Sequence, residues 1–170
     1  MDTNKIERYQ KLFEIMYRVE NIYSQICRDE MLGEEIHFSP YEAQILLSIS
    51  IHSNELKNMH WYAEQMGLSP SCFTKYIKRL TSKGLVEKYY LKGNRKNIVL
   101  QVSELGMKEC RIVSQFACET WMKEILTELD SLNDKELATV ERIIFLWGKK
   151  YQDLLNMKEE ASSPTELIPV

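Results

Sequence analysis

Glycine is scarce in this chain, 6 in 170 residues. That leaves little material for a Gly-rich phosphate loop or a nucleophile elbow, and neither signature occurs. Histidine is scarcer: His37, His52 and His60 stand 15 and 8 residues apart, with no pair at the i, i+4 spacing of a helical metal site and no cysteine cluster beside them. The four cysteines, Cys27, Cys72, Cys110 and Cys118, include no Cys-x-x-Cys pair and are expected to be free thiols rather than a disulfide framework. No apolar run approaches the ~18 residues of a membrane-spanning helix. The start, Met1-Asp2-Thr3-Asn4-Lys5, leads into a charged amphipathic segment rather than a signal peptide. These absences predict a cytoplasmic protein that is not an enzyme and holds no metal or cofactor.

What the chain does have is an uneven distribution of charge. Residues 58–103 hold 8 of the 22 Lys and Arg but only 2 of the 25 Asp and Glu, a local net of +6 in a chain of net −3. A basic segment inside an acidic protein predicts a polyanion-binding face, because Lys and Arg gain affinity by displacing counterions condensed on phosphate. With 170 residues, 44% of them apolar, the chain can build a core and fits one globular domain or a domain plus dimerisation arms.

Ile6, Tyr9, Leu12, Phe13, Met16, Val19, Ile22, Tyr23 and Ile26 recur at three- and four-residue steps, which predicts a helix over residues 4–30 that Gly33 breaks. Ser39-Pro40-Tyr41-Glu42 carries a capping box with proline in the first turn, and starts a second helix ending near His52. Asn58 caps a third helix that Gly67 closes, and Ser69-Pro70 opens a fourth that Gly84 ends. The period then changes. Residues 85–90 and 97–102 are β-rich runs flanking Lys92-Gly93-Asn94-Arg95-Lys96, a hairpin with a basic tip. Leu105 to Leu129 follow as one long helix. Asn133-Asp134-Lys135-Glu136 caps another, whose Leu137, Val140, Ile144, Trp147, Tyr151 and Leu154 form a seam at alternating three- and four-residue steps. The tail, residues 158–170, is expected to be disordered.

The helices at both ends expose more apolar length than a small central domain can cover. A two-fold homodimer would cover them; an intramolecular bundle of the first, fifth and sixth helices is the alternative.

The stretch from Trp61-Tyr62-Ala63-Glu64-Gln65-Met66-Gly67-Leu68-Ser69-Pro70 through Cys72-Phe73-Thr74-Lys75-Tyr76-Ile77-Lys78-Arg79-Leu80 to Gly84-Leu85-Val86-Glu87-Lys88, with the hairpin and Val102-Ser103-Glu104-Leu105-Gly106 after it, resembles the MarR family of winged helix-turn-helix regulators. The resemblance implies a mainly α fold: a dimerisation helix in residues 1–32, a winged helix-turn-helix in 38–103 and dimerisation helices in 104–157. It also implies a homodimer on a pseudo-palindromic operator, often released by a small molecule or an oxidant.

In that frame the fourth helix would enter the major groove. Ser69, Ser71, Thr74, Lys75 and Lys78 are its polar positions, while Phe73, Ile77 and Leu80 pack on the domain. Arg79 either contacts phosphate or pairs with Glu64. Arg95 would insert into the minor groove, with Lys92 and Lys96 on neighbouring phosphates. The family commonly has an acidic residue before this arginine; here Asn94 stands there.

Met16, Tyr23, His37 and Tyr41 are conceivable liners of an effector site, with core packing as the bland role for each. Cys27 lies near the end of the first helix, a region where some relatives sense peroxide. Cys72 lies in the first turn of the fourth helix, where oxidation would disturb DNA contact. The reading from a different class is a winged-helix protein-interaction module, suggested by the overall acidity and by an exposed-looking His60-Trp61-Tyr62.

Overall fold

A computed structural model describes residues 3–27 and 36–161 and, within these, all side chains except those of residues 3–6, 94–96 and 159–161. The chain divides into two compact units, residues 1–115 and 116–170.

The first unit opens with α1 (Thr3–Ile26), long and uninterrupted because its sequence holds neither glycine nor proline. The rest of the predicted first helix, with Gly33, lies outside the described residues. In α2 (Pro40–Ile51) the capping box forms as the sequence predicts: Glu42 N donates to Ser39 Oγ at 3.3 Å, and Ser39 N donates to Glu42 Oε2 at 2.8 Å. A single 3-10 turn, Ser53–Glu55, follows.

Asn58 Oδ1 accepts from Trp61 N at 2.9 Å to start α3 (Met59–Gln65). Ser69 Oγ accepts from Cys72 N at 3.2 Å to start α4 (Pro70–Ser82). Both helices end in the same way. Gly67 at φ 62° and Gly84 at φ 72° take the left-handed conformation, while the next amides, of Leu68 and Leu85, reach back to Ala63 O and Leu80 O at 2.9 Å. The reversal at Gly67 turns the chain from α3 into α4, the two helices of a helix-turn-helix, and the one at Gly84 turns it from α4 into the hairpin.

The hairpin pairs β1 (Val86–Leu91) with β2 (Asn94–Val102) in antiparallel register, from Val86 opposite Val102 to Tyr90 opposite Ile98. The register then jumps to Leu91 opposite Asn94. This corrects the sequence reading: the turn is Lys92–Gly93, with Gly93 at φ 88°, and residues 94–96 belong to β2 rather than to a five-residue tip. Arg95, Lys96 and Asn97 fall in the register jump, as a bulge unpaired by β1. An isolated bridge from Asn58 to Val99 ties the hairpin to the start of α3.

Phe38, Ile45, Leu46, Ile49, Tyr62, Phe73, Ile77, Leu80, Leu85 and Leu100 form one buried cluster, so α2, α3, α4 and the base of the hairpin share a core. Tyr62 and Phe73 stack with rings 6.3 Å apart and 7° from parallel, fixing α3 on α4. Tyr62 is thus a core residue and Trp61 is half-buried, so of the exposed-looking trio only His60 lies open.

The sequence reading also places one helix over residues 105–129, and here too the structure differs. α5 (Glu104–Glu119) stops and α6 (Lys123–Asp130) begins after a three-residue break. At the break the Thr120 hydroxyl donates to Phe116 O, and Met122 N reaches back five residues to Ala117 O at 2.9 Å. A helix can end on such a back-bonded turn without glycine or proline, so the sequence carried no breaker to see.

In the second unit, Asn133 Oδ1 accepts from Lys135 N at 3.0 Å and Glu136 N at 3.1 Å to cap α7 (Asp134–Ala161). This helix runs past Lys158, where the tail is expected to start; residues 162–170 lie outside the described residues.

Candidate nucleic-acid interface

The two faces of α4 differ sharply. Phe73, Ile77 and Leu80 are at most 1% exposed, whereas Ser69, Ser71, Lys75, Lys78 and Arg79 face solvent and Thr74 is half-buried. The 3.6-residue period explains the division, because Phe73, Ile77 and Leu80 step by 4 and 3. Lys78 and Arg79 lie three and four residues after Lys75, so all three share the outer face.

The small polar residues at its start are locally held. Ser69 Oγ lies 3.1 Å from Ser71 Oγ, and the Thr74 hydroxyl donates to Pro70 O at 2.7 Å. Each oxygen keeps acceptor capacity, and the dipole of the first turn favours an anion there.

Not every cation of residues 58–103 faces outward. Lys83, which follows α4, turns inward: its Nζ lies 3.0 Å from Glu42 Oε2 and donates to His37 O at 2.8 Å. Glu42 is fully buried. The capping box identifies Glu42 in the sequence, but its burial and its lysine partner do not follow from the pattern.

On the wing, Lys88 and Lys92 are exposed. Arg95 and Lys96 have backbones in β2, and their side chains lie outside the description. The structure therefore brings Ser69, Ser71, Thr74, Lys75, Lys78 and Arg79 onto one element and Lys92, Arg95 and Lys96 onto a second.

Two of the four conceivable effector liners meet. Tyr23 of α1 and Tyr41 of α2 have ring centroids 6.4 Å apart, and Tyr41 lies 5.8 Å from Tyr76 of α4. Burial pushes the Tyr23 phenol well above its ordinary pKa, and a hydrogen bond with the Cys27 thiol adds to the shift. Tyr41 is raised by burial and by the same thiol, and Tyr76 by burial and by nearby Cys72. Met16 is half-buried on α1, and His37 is exposed. Among the described residues no three His, Cys, Asp or Glu gather as a metal group. No described helix is long and apolar enough to cross a membrane.

No protein-family model and no curated protein sequence matches the chain. Solved structures do match it in three dimensions. FabT of Streptococcus pneumoniae in complex with DNA is 16% identical, with 86% of this chain and 99% of that one covered at a TM-score of 0.57. MepR of S. aureus, also with DNA, is 11% identical at a TM-score of 0.59, covering 84% of this chain and 97% of that one. A cysteine-to-serine mutant of MarR from E. coli with operator DNA is 17% identical at a TM-score of 0.53, covering 80% of this chain and 94% of that one. In fold, then, the chain is a winged helix-turn-helix of the kind that FabT, MepR and MarR share.

Proposed function

We propose that this chain is a MarR-family transcriptional regulator that binds a pseudo-palindromic duplex operator as a homodimer and represses by occupying a promoter. The observation that carries the reading is the exposed row Lys75, Lys78 and Arg79 on a helix whose opposite face is fully buried. Such a helix is rigidly mounted, presents its capped N-terminus, and fits a major groove. The three similar structures solved with DNA support the reading through their shared fold. Ser69, Ser71 and Thr74 contact phosphates or base edges, Lys75 and Lys78 read the groove, and Arg79 holds the backbone. Lys92, Arg95 and Lys96 belong to the wing, with Arg95 in the minor groove. An unidentified small molecule or an oxidant releases the complex.

The dimer is proposed from uncovered apolar surface. On α1, Leu12, Ile15, Val19, Ile22 and Ile26 are each 46–56% exposed at alternating three- and four-residue steps. On α7, Ile144, Phe145, Leu154, Leu155 and Met157 are each more than half exposed. Patches of this kind are rare on monomers and suit a second copy.

Selection of duplexes from random DNA, followed by fluorescence anisotropy across a salt series, tests this function. The expected result is one recovered motif bound at least about 100-fold more tightly than scrambled duplex. Lys75→Ala, Lys78→Ala and Arg95→Ala should each weaken it. Failure to enrich any motif would overturn the reading and leave the basic face to a protein partner.

A further inference from the structure

Resting on the DNA-binding reading above, a second feature of the wing acquires a role. The last three residues of β1, Tyr89, Tyr90 and Leu91, are 45%, 60% and 40% exposed, an apolar run at the tip of a hairpin. They do not all point the same way. Along an antiparallel pair, directly opposed residues share a face. Val86, Lys88 and Tyr90 therefore stand with Val102, Leu100 and Ile98.

At the base of the hairpin this face rests on the domain. Val86 and Leu100 are 1% exposed, and they join Ile77 and Leu80 of α4 in the buried cluster. Toward the tip the core ends and the same face emerges into solvent at Tyr90. Tyr90 thus projects from the side of the sheet on which α4 packs.

Glu87, Tyr89 and Leu91 occupy the opposite face. There the Tyr89 hydroxyl donates to Glu87, which raises the phenol's pKa and engages it within the wing.

Lys88 lies two residues before Tyr90 on its face, and Lys92 lies in the adjoining turn. Both are exposed and neither pairs with an acid among the described residues. An exposed aromatic flanked by two unneutralised cations is complementary to the wall of a DNA groove. The sugars there present apolar edges between phosphates. A protein surface that avoided polyanions would have no need to place lysine on both sides of the ring.

We propose that Tyr90 is a DNA contact of the wing, its ring packed on deoxyribose edges while Lys88 and Lys92 hold the flanking phosphates. The juxtaposition adds to the wing an apolar contact that charge counting does not reveal.

The two kinds of contact have different salt signatures, and this makes the test specific. A phosphate contact contributes about 0.9 to the slope of log affinity against log salt, whereas loss of an apolar ring contact lowers affinity without changing that slope. With the full chain and a duplex selected by the wild type, Tyr90→Thr removes the ring and puts another strand-favouring residue, β-branched threonine, in its place. It should weaken binding about ten-fold at every salt concentration, on the scale of one aromatic contact to nucleic acid. Tyr90→Phe should retain most of the affinity. Lys88→Ala should flatten the salt slope by about one unit. Tyr89→Thr, on the opposite face, should stay within about two-fold of the wild type.

Wild-type affinity in Tyr90→Thr, with DNA binding intact, would overturn this inference alone. Equal losses in Tyr89→Thr and Tyr90→Thr would also overturn it, by showing that the strand and not the ring matters. If the wild type selects no duplex, the function proposed above and this contact fall together.

Discussion

Two lysines five residues apart, Lys78 and Lys83, meet opposite fates because α4 ends between them. Lys78 stays on the solvent face, where substitution to alanine should change stability by no more than about 0.5 kcal/mol while weakening DNA binding. Lys83 neutralises Glu42, a carboxylate that is fully buried. Lys83→Ala leaves that charge buried and unpaired, a class of change that costs about 3–5 kcal/mol; the lysine's 21% exposure discounts it to about 2–4. Urea unfolding of the two variants should separate them clearly, and equal stabilities would refute the inward role of Lys83. The cysteines divide in a similar way. Cys110 is buried, and desolvation pushes its thiol from 9.0 to about 11. The folded state therefore retains this proton where the unfolded chain loses it, so the contribution to stability is full below pH 9 and declines between pH 9 and 11. At pH 8 a thiol reagent should modify exposed Cys118 readily and reach Cys110 only when the protein unfolds, as mass spectrometry over a denaturant series would show.

At the scale of elements, the wing and α5 are joined at one tight corner. The Ser103 hydroxyl donates to Gly84 O and accepts from Gly106 N at 3.0 Å, so it bonds the end of α4 to the start of α5. Gly106 is required there for space. A Cβ on it would fall 2.2 Å from Leu85 O and 2.6 Å from Val102 Cγ1. Because Leu85 O is backbone and already accepts from Ser103 N at 3.0 Å, it cannot simply move aside. Gly106→Ala should thus lower stability by about 1–3 kcal/mol, as overpacked sites do, despite alanine's better helix propensity. A thermal midpoint equal to or above the wild type would contradict this packing. The caps of α2, α3, α4 and α7 were legible because a cap is a local exchange of hydrogen bonds among residues within one turn. The division of α5 from α6 was not, since it rests on one threonine hydroxyl and a backbone reach that any sequence could supply.

For the whole molecule, the apolar faces of α1 and α7 make the oligomeric state decisive. In the proposed homodimer Ile22 lies within a covered seam, so Ile22→Glu should place a charge in an apolar interface. Sedimentation equilibrium should then show dissociation at concentrations where the wild type is dimeric. DNA affinity should fall with it, because two half-sites about one helical turn apart need two linked reading heads. A wild type that sediments as a monomer at all concentrations would sink this arrangement while leaving the recognition helix intact. Charge acts at this scale too. Acidic residues farther than a Debye length of about 8 Å from the bound phosphates are largely screened, so the net −3 of the chain opposes DNA little and the local basic face decides; binding should weaken steeply with salt yet persist at physiological ionic strength.

The sequence by itself determined the capped starts of α2, α3, α4 and α7, the place of the hairpin among the helices, and which face of α4 is apolar. All of these depend on residues a few positions apart, whose geometry the backbone dictates. It also marked the wing as basic, because charge survives any arrangement of the chain. Only the tertiary structure decided that Lys83 belongs to Glu42, 41 residues away, that Tyr62 is core, and that Tyr90 rather than Tyr89 stands on the side of the wing that rests on the domain. Those outcomes follow from strand register and burial, set when distant segments compete for one core, and no local pattern encodes who wins.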